Sequence, residues 1–187
     1  MMDLMTRNVV NGIDLDALGT VVEAINDDAA QALVRFSVVT QWTGQTGSRS
    51  TVSGYEIAGQ KVERHFEIVA DEPLELLGEN KAPNPQELLM SAVNACMTVG
   101  YVAGAATMGI TLDSLAIRTT GQLDLRGFLG LDDSVPPGYD TVDYVVSISG
   151  DGMPEQFEEI HRNVMRTSPN YFNMARPIRM NGVLNVH

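Results

Sequence analysis

Asn84-Pro85-Gln86-Glu87-Leu88-Leu89-Met90-Ser91-Ala92-Val93-Asn94-Ala95-Cys96, running on to Met108-Gly109, is the stretch that decides the fold. It holds the only cysteine, and no charged residue occurs from Leu88 to Leu112. Asn84 suits a helix cap, and Pro85 suits the first turn, where its missing N–H would have had no partner. Glu87 lies in that turn, where the helix dipole favours negative charge. Gly109 suits the stop, since it readily takes the left-handed backbone that ends helices. The spacing predicts a helix of about seven turns at roughly 3.6 residues per turn.

A long uncharged run raises the possibility of a membrane span. This one is built from Ala, Gly, Ser, Thr and Asn rather than Leu, Ile and Phe, and no Lys or Arg cluster flanks it. Apolar or small groups cover every face, which predicts a helix buried in a soluble core. Ala92, Ala95, Gly100, Ala103 and Gly104 would let neighbouring backbones come close. Cys96 falls in the middle of it.

The chain has 187 residues, enough for one domain with a proper core. Its formal net charge of −12 argues against nucleic acid or an anionic membrane surface as partner, because phosphate recognition needs Lys and Arg. One cysteine cannot form an internal disulfide, and a lone thiol suits a reducing cytoplasm. The start, Met1 to Arg7, lacks the basic and apolar segments of a signal peptide.

Outward from the central helix the pattern alternates between the two periods of regular structure. Residues 13–29 predict an amphipathic helix with Leu18, Val21, Val22 and Ile25 on one face, packed across a sheet. Three strands follow, at about 32–42, 50–57 and 62–70, joined by glycine-bearing turns as an antiparallel meander. Residues 71–83 read as a loop into the central helix. Beyond Gly109, strands are predicted at 114–125 and 141–149, with an exposed loop at 126–139. A helix follows from Met153 to Arg166, stopped by Thr167-Ser168-Pro169-Asn170, and a last strand runs from Ile178 to Val186. The mixture is an α+β fold.

Cys96 is the one strong nucleophile candidate. A free cysteine packs most often as a small hydrophobe; a reactive thiol needs a nearby cation or helix N-terminus. Cys96 is about three turns from its helix start, so a cation elsewhere in the fold would have to serve. Arg49, after the Gly44–Gly47 loop, is the first candidate, ahead of Arg118, Arg126, Arg176 and Arg179. His65, His161 and His187 are scattered. No metal-ligand spacing, phosphate loop, dinucleotide fingerprint or G-x-S-x-G elbow is present, so no metal or cofactor is expected.

The run Asn84-Pro85-Gln86-Glu87-Leu88-Leu89 with Ala95-Cys96 resembles the first cysteine motif of the OsmC/Ohr family of osmotically induced and organic-hydroperoxide-resistance proteins. Ala70-Asp71-Glu72-Pro73 before the helix supports the resemblance, as does Gly109-Ile110-Thr111-Leu112-Asp113-Ser114-Leu115 after it. Asp124-Leu125-Arg126-Gly127-Phe128-Leu129-Gly130 is similar to the loop of an uncharacterised OsmC-like branch. The resemblance covers roughly residues 32–187. It divides the chain into a helical extension, 1–30, and a single OsmC-like domain, 31–187.

The resemblance implies an intertwined homodimer in which curved antiparallel sheets surround long central helices, with a site at each interface. In the peroxidase members a first cysteine attacks a hydroperoxide, an arginine lowers its pKa, a glutamate orients the arginine, and a second cysteine before a proline forms a disulfide. Residue by residue, Cys96 matches the attacking cysteine and Arg49 the arginine. Gln86 stands at the glutamate position, ten residues before Cys96, with Glu87 beside it. Ser168, in Ser168-Pro169-Asn170-Tyr171, stands at the second-cysteine position. Serine cannot form a disulfide, so the implied activity is a one-cysteine reduction of organic hydroperoxides that draws on an external thiol reductant. Two other readings stay open: a non-catalytic module holding a small apolar ligand, and a thiol reaction with some other electrophile.

Overall fold

Residues 8–186 are described by a computed structural model of the chain. Met1–Arg7, on which the expectation of no signal segment rests, and His187 lie outside the described residues. The chain forms two compact units, the first ending at Leu89 and the second beginning at Met90. The boundary expected at residue 30 concerns family extent and stays an expectation.

The first unit opens with a small hairpin, β1 (Val9–Val10) and β2 (Ile13–Asp14), that the hydrophobic pattern did not reveal. Its turn is Asn11-Gly12, both at positive φ, as a two-residue hairpin turn requires. Helix α1 (Leu15–Asp27) begins where the Asp14 carboxylate accepts the N–H groups of Asp16 and Ala17, at 3.1 and 3.0 Å. Its apolar stripe is only partly covered: Leu18 and Ile25 are half-buried, while Val21 stays 53% exposed and Val22 48%. Among the described residues, no side chain of α1 is fully buried in support of the expected packing across a sheet. A 3-10 turn over Ala29–Ala32 leads into the sheet.

The expected meander is present, with its first strand broken into β3 (Val34–Phe36) and β4 (Val39–Gly44). Both pair antiparallel with β5 (Gly47–Ile57), which pairs on its other edge with β6 (Gln60–Ala70). Ala58-Gly59, at φ 50° and 75°, makes the tight turn between β5 and β6. The 71–83 loop is tied down by Asp71. Its carboxylate accepts from Thr46 Oγ1 at 2.8 Å and from the backbone N–H groups of Glu72, Glu79 and Lys81 at 2.9, 3.0 and 3.1 Å. Gly78 is required there: a Cβ would fall 1.8 Å from the Glu72 carbonyl oxygen.

Helix α2 (Pro85–Thr107) starts with a reciprocal cap. Asn84 Oδ1 accepts from the Glu87 N–H, and Glu87 Oε2 accepts from the Asn84 N–H, both at 2.8 Å. The helix ends at Met108-Gly109, with Gly109 at φ +71°. Its length and apolarity would suffice to cross a membrane. A core helix passes the same test, and the second unit is built on this one.

In that unit Val93, Met97, Tyr101 and Ala105, one turn apart, form a buried stripe with Ile110, Ile160 and Val164. Burying side chains such as Met97 and Ile160 contributes roughly 1.5–3 kcal/mol each. The hairpin of β7 (Leu112–Gly121) and β8 (Val142–Gly150) lays Leu115, Ile117, Tyr144, Val146 and Ile148 against this core. Helix α4 (Pro154–Thr167) lies so close to α2 that a Cβ on Gly100 would come 3.0 Å from Val164, and one on Gly104 3.1 Å from Ile160. Of the small residues on α2, Gly100 and Gly104 thus act as the sequence implied.

Three expectations need correction here. The strand expected to reach Leu125 stops at Gly121, because Asp124 caps a short helix, α3 (Leu125–Phe128), at the start of the expected loop. The 167–170 stop also starts a helix, α5 (Pro169–Ala175), favoured by Ser168 as cap and Pro169 in the first turn. The strand expected over Ile178–Val186 is absent. A strand exists only through pairing, and no described strand pairs with this segment. Met180 and Val183 are left 87% and 89% exposed.

Candidate functional site

Cys96 is half-buried on α2, with a free thiol. The Ser168 hydroxyl donates to its sulfur across 3.3 Å. Ser168 sits at the junction of α4 and α5 and is 4% exposed. Its backbone N–H closes the last turn of α4 on the Val164 carbonyl at 2.8 Å. Its Oγ accepts the Tyr171 N–H at 3.5 Å as the cap of α5. Asn170 ties α5 to α2 by donating to the Ala92 carbonyl at 2.9 Å, one turn before Cys96.

An aromatic cluster continues from this junction. The Tyr171 ring meets Tyr144 edge-on at 6.1 Å. Tyr144 lies 6.2 Å from the His161 ring, and the Tyr101 hydroxyl shares a short hydrogen bond with His161 Nδ1. Burial, and to a lesser degree the neighbouring Tyr144, push the Tyr101 phenol up to about 12. Burial likewise raises Tyr144, with Tyr171 adding to the effect.

Of the other predicted residues, Arg49, Gln86 and Glu87 belong to the first unit. Arg49, on β5, is half-exposed and pairs with Glu67 on β6, Nη1 to Oε2 at 2.7 Å. Gln86 and Glu87 occupy the first turn of α2, and Glu87 is engaged with Asn84. So the structure brings Cys96 together with Ser168, and Arg49 together with Glu67. Sequence reasoning missed Glu67, because it looked for the arginine's partner near the cysteine rather than across a strand. Only the strand register, which sets Arg49 opposite Val69 with Glu67 next but one, reveals the pair. Sequence reasoning also missed the tyrosines: Tyr144 alternates with polar residues like an ordinary core position of a strand, and Tyr101 and Tyr171 lie on helices.

A separate cleft of about 670 Å³ lies in the second unit beside the ends of β7 and β8. It is lined by Gln122, Asp124, Asp140 and Asp143, among others, and does not include Cys96. Among the described residues, no group of three or more His, Cys, Asp or Glu side chains could hold a metal ion.

With this arrangement in view, the family model for OsmC-like protein matches residues 78–181, more than half of the chain. The chain belongs to the OsmC-like family. Its fold is similar to that of an OsmC-like protein from Mycoplasma pneumoniae, with a TM-score of 0.59 at 15% identity, covering 75% of this chain and 87% of that one. A putative osmotic stress induced and detoxification response protein from Psychrobacter arcticus is similar at TM-score 0.56 and 16% identity, covering 72% and 85%. An OsmC-like protein of unknown function from Vibrio cholerae is similar at 0.53 and 15%, covering 74% and 92%. A comparison with curated proteins gives no match. At these identities the structural likeness establishes the fold, α+β with antiparallel sheets and helices.

Proposed function

We propose that this OsmC-like chain is a thiol-dependent reductase of organic hydroperoxides in which Cys96 is the nucleophile. The observation that carries the reading is the contact between Cys96 Sγ and Ser168 Oγ at 3.3 Å. The family resemblance assigns residue 168 to the second cysteine, and such a cysteine must lie beside the first.

The Cys96 thiolate attacks one oxygen of the hydroperoxide. An S–O bond forms, the O–O bond breaks, and the leaving alkoxide takes a proton from solvent to depart as an alcohol. Cys96 becomes a sulfenic acid. With serine at 168, no internal disulfide follows. An external thiol attacks the sulfur and releases water, and a second thiol then frees Cys96 and leaves as a disulfide. Each cycle reduces one peroxide and oxidises two thiols.

In this reading Arg49 supplies the cation that favours the thiolate and receives the peroxide. Glu67 holds the arginine, and Gln86 or Glu87 gives further support. The working form is a homodimer. Val39, Trp42, Phe66, Ile68 and Val69 of the first unit, together with the 178–186 segment, are exposed apolar surface that a second copy would cover. A sheet of β3 to β6 with so little of its apolar surface buried needs such cover. A reducing cytoplasm suits both the lone thiol and the supply of reductant.

The test is intact mass after stoichiometric cumene hydroperoxide, with a sulfenic-acid trap and a Cys96→Ser control. Rapid, trappable oxidation at Cys96 that a dithiol reverses supports the reading. A thiol that reacts only as fast as free cysteine sinks it. The serine at 168 also favours a second reading, a non-catalytic module that holds a small apolar ligand. Ligand-dependent thermal stabilisation with an inert Cys96 would decide for that one.

A further inference from the structure

Residue 168 does more than mark a lost disulfide. A serine hydroxyl has one proton to give and lone pairs to receive. At Ser168 the receiving side is used by the Tyr171 N–H at 3.5 Å, the cap of α5. The hydroxyl proton is given to Cys96 Sγ, 3.3 Å away. The platform is fixed from both sides: the Ser168 N–H is bound to the Val164 carbonyl, and Asn170 is bound to the Ala92 carbonyl on α2. Ser168 is 4% exposed, so water competes little for either bond.

We infer that Ser168 is a positioning residue whose hydroxyl donates a hydrogen bond to the Cys96 thiolate, holding the sulfur in its reactive form in place of the disulfide a second cysteine would make. A hydrogen bond to the charged form of an acid favours that form, and such charge-assisted bonds are about twice as strong as neutral ones. The inference rests on Cys96 being the reacting atom of the proposed function.

The test follows the rate of Cys96 alkylation by iodoacetamide against pH in the reduced full-length chain. No peroxide is present. Ser168→Ala and Ser168→Gly both remove the hydroxyl, and glycine keeps most of the capping energy, so at least one variant remains folded. In each, the midpoint of the pH–rate profile rises by about one pH unit, a roughly tenfold loss of thiolate below the midpoint. Ser168→Thr, which keeps the hydroxyl, stays with the wild type. Loss of a cap alone would lower the melting temperature without moving the midpoint. An unmoved midpoint in a folded Ala or Gly variant overturns the inference. Failure of the wild type to form a sulfenic acid with cumene hydroperoxide would sink the peroxidase reading instead, and the alkylation profile would still report on Ser168.

Discussion

Replacing Ser168 by cysteine tests the placement of the site directly. In the wild type the two side-chain atoms are 3.3 Å apart. A carbon–sulfur bond is longer than a carbon–oxygen bond, so the introduced sulfur starts nearer, and a disulfide of about 2.05 Å needs closure by roughly one ångström. Both sulfurs belong to the unit whose core holds Met97, Tyr101, Ile160 and Val164, so the closure must come from side-chain rotation and a small shift of the α4–α5 junction. The cross-link would join residues 72 positions apart. By chain entropy a loop of that length is worth about 4 kcal/mol, less whatever strain the closure stores. At about 2–4 °C per kcal/mol for a chain of this size, the oxidised variant should melt roughly 10 °C above its reduced form. The assay is intact mass for the loss of two hydrogens after one equivalent of peroxide, followed by melting with and without dithiothreitol. The Cys96→Ser, Ser168→Cys double variant is the control. If the single variant stays fully reduced, or oxidises without any gain in melting temperature, the argument from this contact is refuted.

Three further outcomes follow from the packing and the charges. Met97→Ala empties a fully buried site between α2 and α4 and should cost about 2–5 kcal/mol in urea unfolding; a loss below 1 kcal/mol would mean that this core is not the stabilising one. The hydrogen bond from Thr46, followed by that from the Lys81 N–H, holds the Asp71 carboxyl below the usual carboxylate range. A group with a lowered folded pKa stabilises above its ordinary value and loses that contribution as pH falls towards the folded one. Asp71→Asn should therefore be less stable at neutral pH and show a shallower loss of stability below about pH 4. The Tyr101 phenol, pushed up to about 12 by burial, has the opposite sign. Its contribution is intact below about pH 10 and is lost between there and the folded value, as the unfolded chain gives up its proton first. Tyr101→Phe should flatten that alkaline decline in an equilibrium unfolding series, while leaving His161 Nδ1 short of a partner at neutral pH, at a cost of about 1–3 kcal/mol.

The parts of the fold legible in the sequence are those with a strong local period and a clear stop. The central helix has both: Asn84 and Glu87 cap it, Gly109 ends it, and its small residues foretell the close approach of Val164 and Ile160. The β5–β6 hairpin announces itself through Ala58-Gly59. What escaped the reading depends on contacts distant in sequence. Leu123 and Leu125 continue the alternation of β7, yet Asp124 captures the Arg126 N–H and turns the chain into α3. Residues 178–186 carry a strand's composition but no described partner strand. In the site, Cys96 and Ser168 emerged from motif order, and the structure joins them. Glu67 did not emerge, because a carboxylate in an exposed strand has no local mark that separates a partner for Arg49 from ordinary solvated charge.

Serine at 168 also makes sense for helix α5 alone, and that shapes how the chemistry can run. A helix of 7 residues is too short to stand on propensity and depends on its cap and its docking. Serine is among the best capping residues because its oxygen accepts a backbone N–H, as it does here from Tyr171. Cysteine offers a weaker acceptor. Serine at this position thus strengthens the element that holds Asn170 on the Ala92 carbonyl, and with it the wall beside Cys96. Under the proposed chemistry this wall supplies no second sulfur, so the oxidised thiol would be restored by a reductant arriving from solvent. Cys96 is half-buried rather than sealed, so that route is open. By the same token, excess peroxide reaches the sulfur too. If the proposed chemistry holds, titration with several equivalents of hydroperoxide in the absence of thiol should drive Cys96 past the sulfenic acid to the sulfinic form. The same titration of the Ser168→Cys variant should stop at the disulfide. Equal over-oxidation of both chains would show that the residue at 168 has no part in the fate of the sulfur.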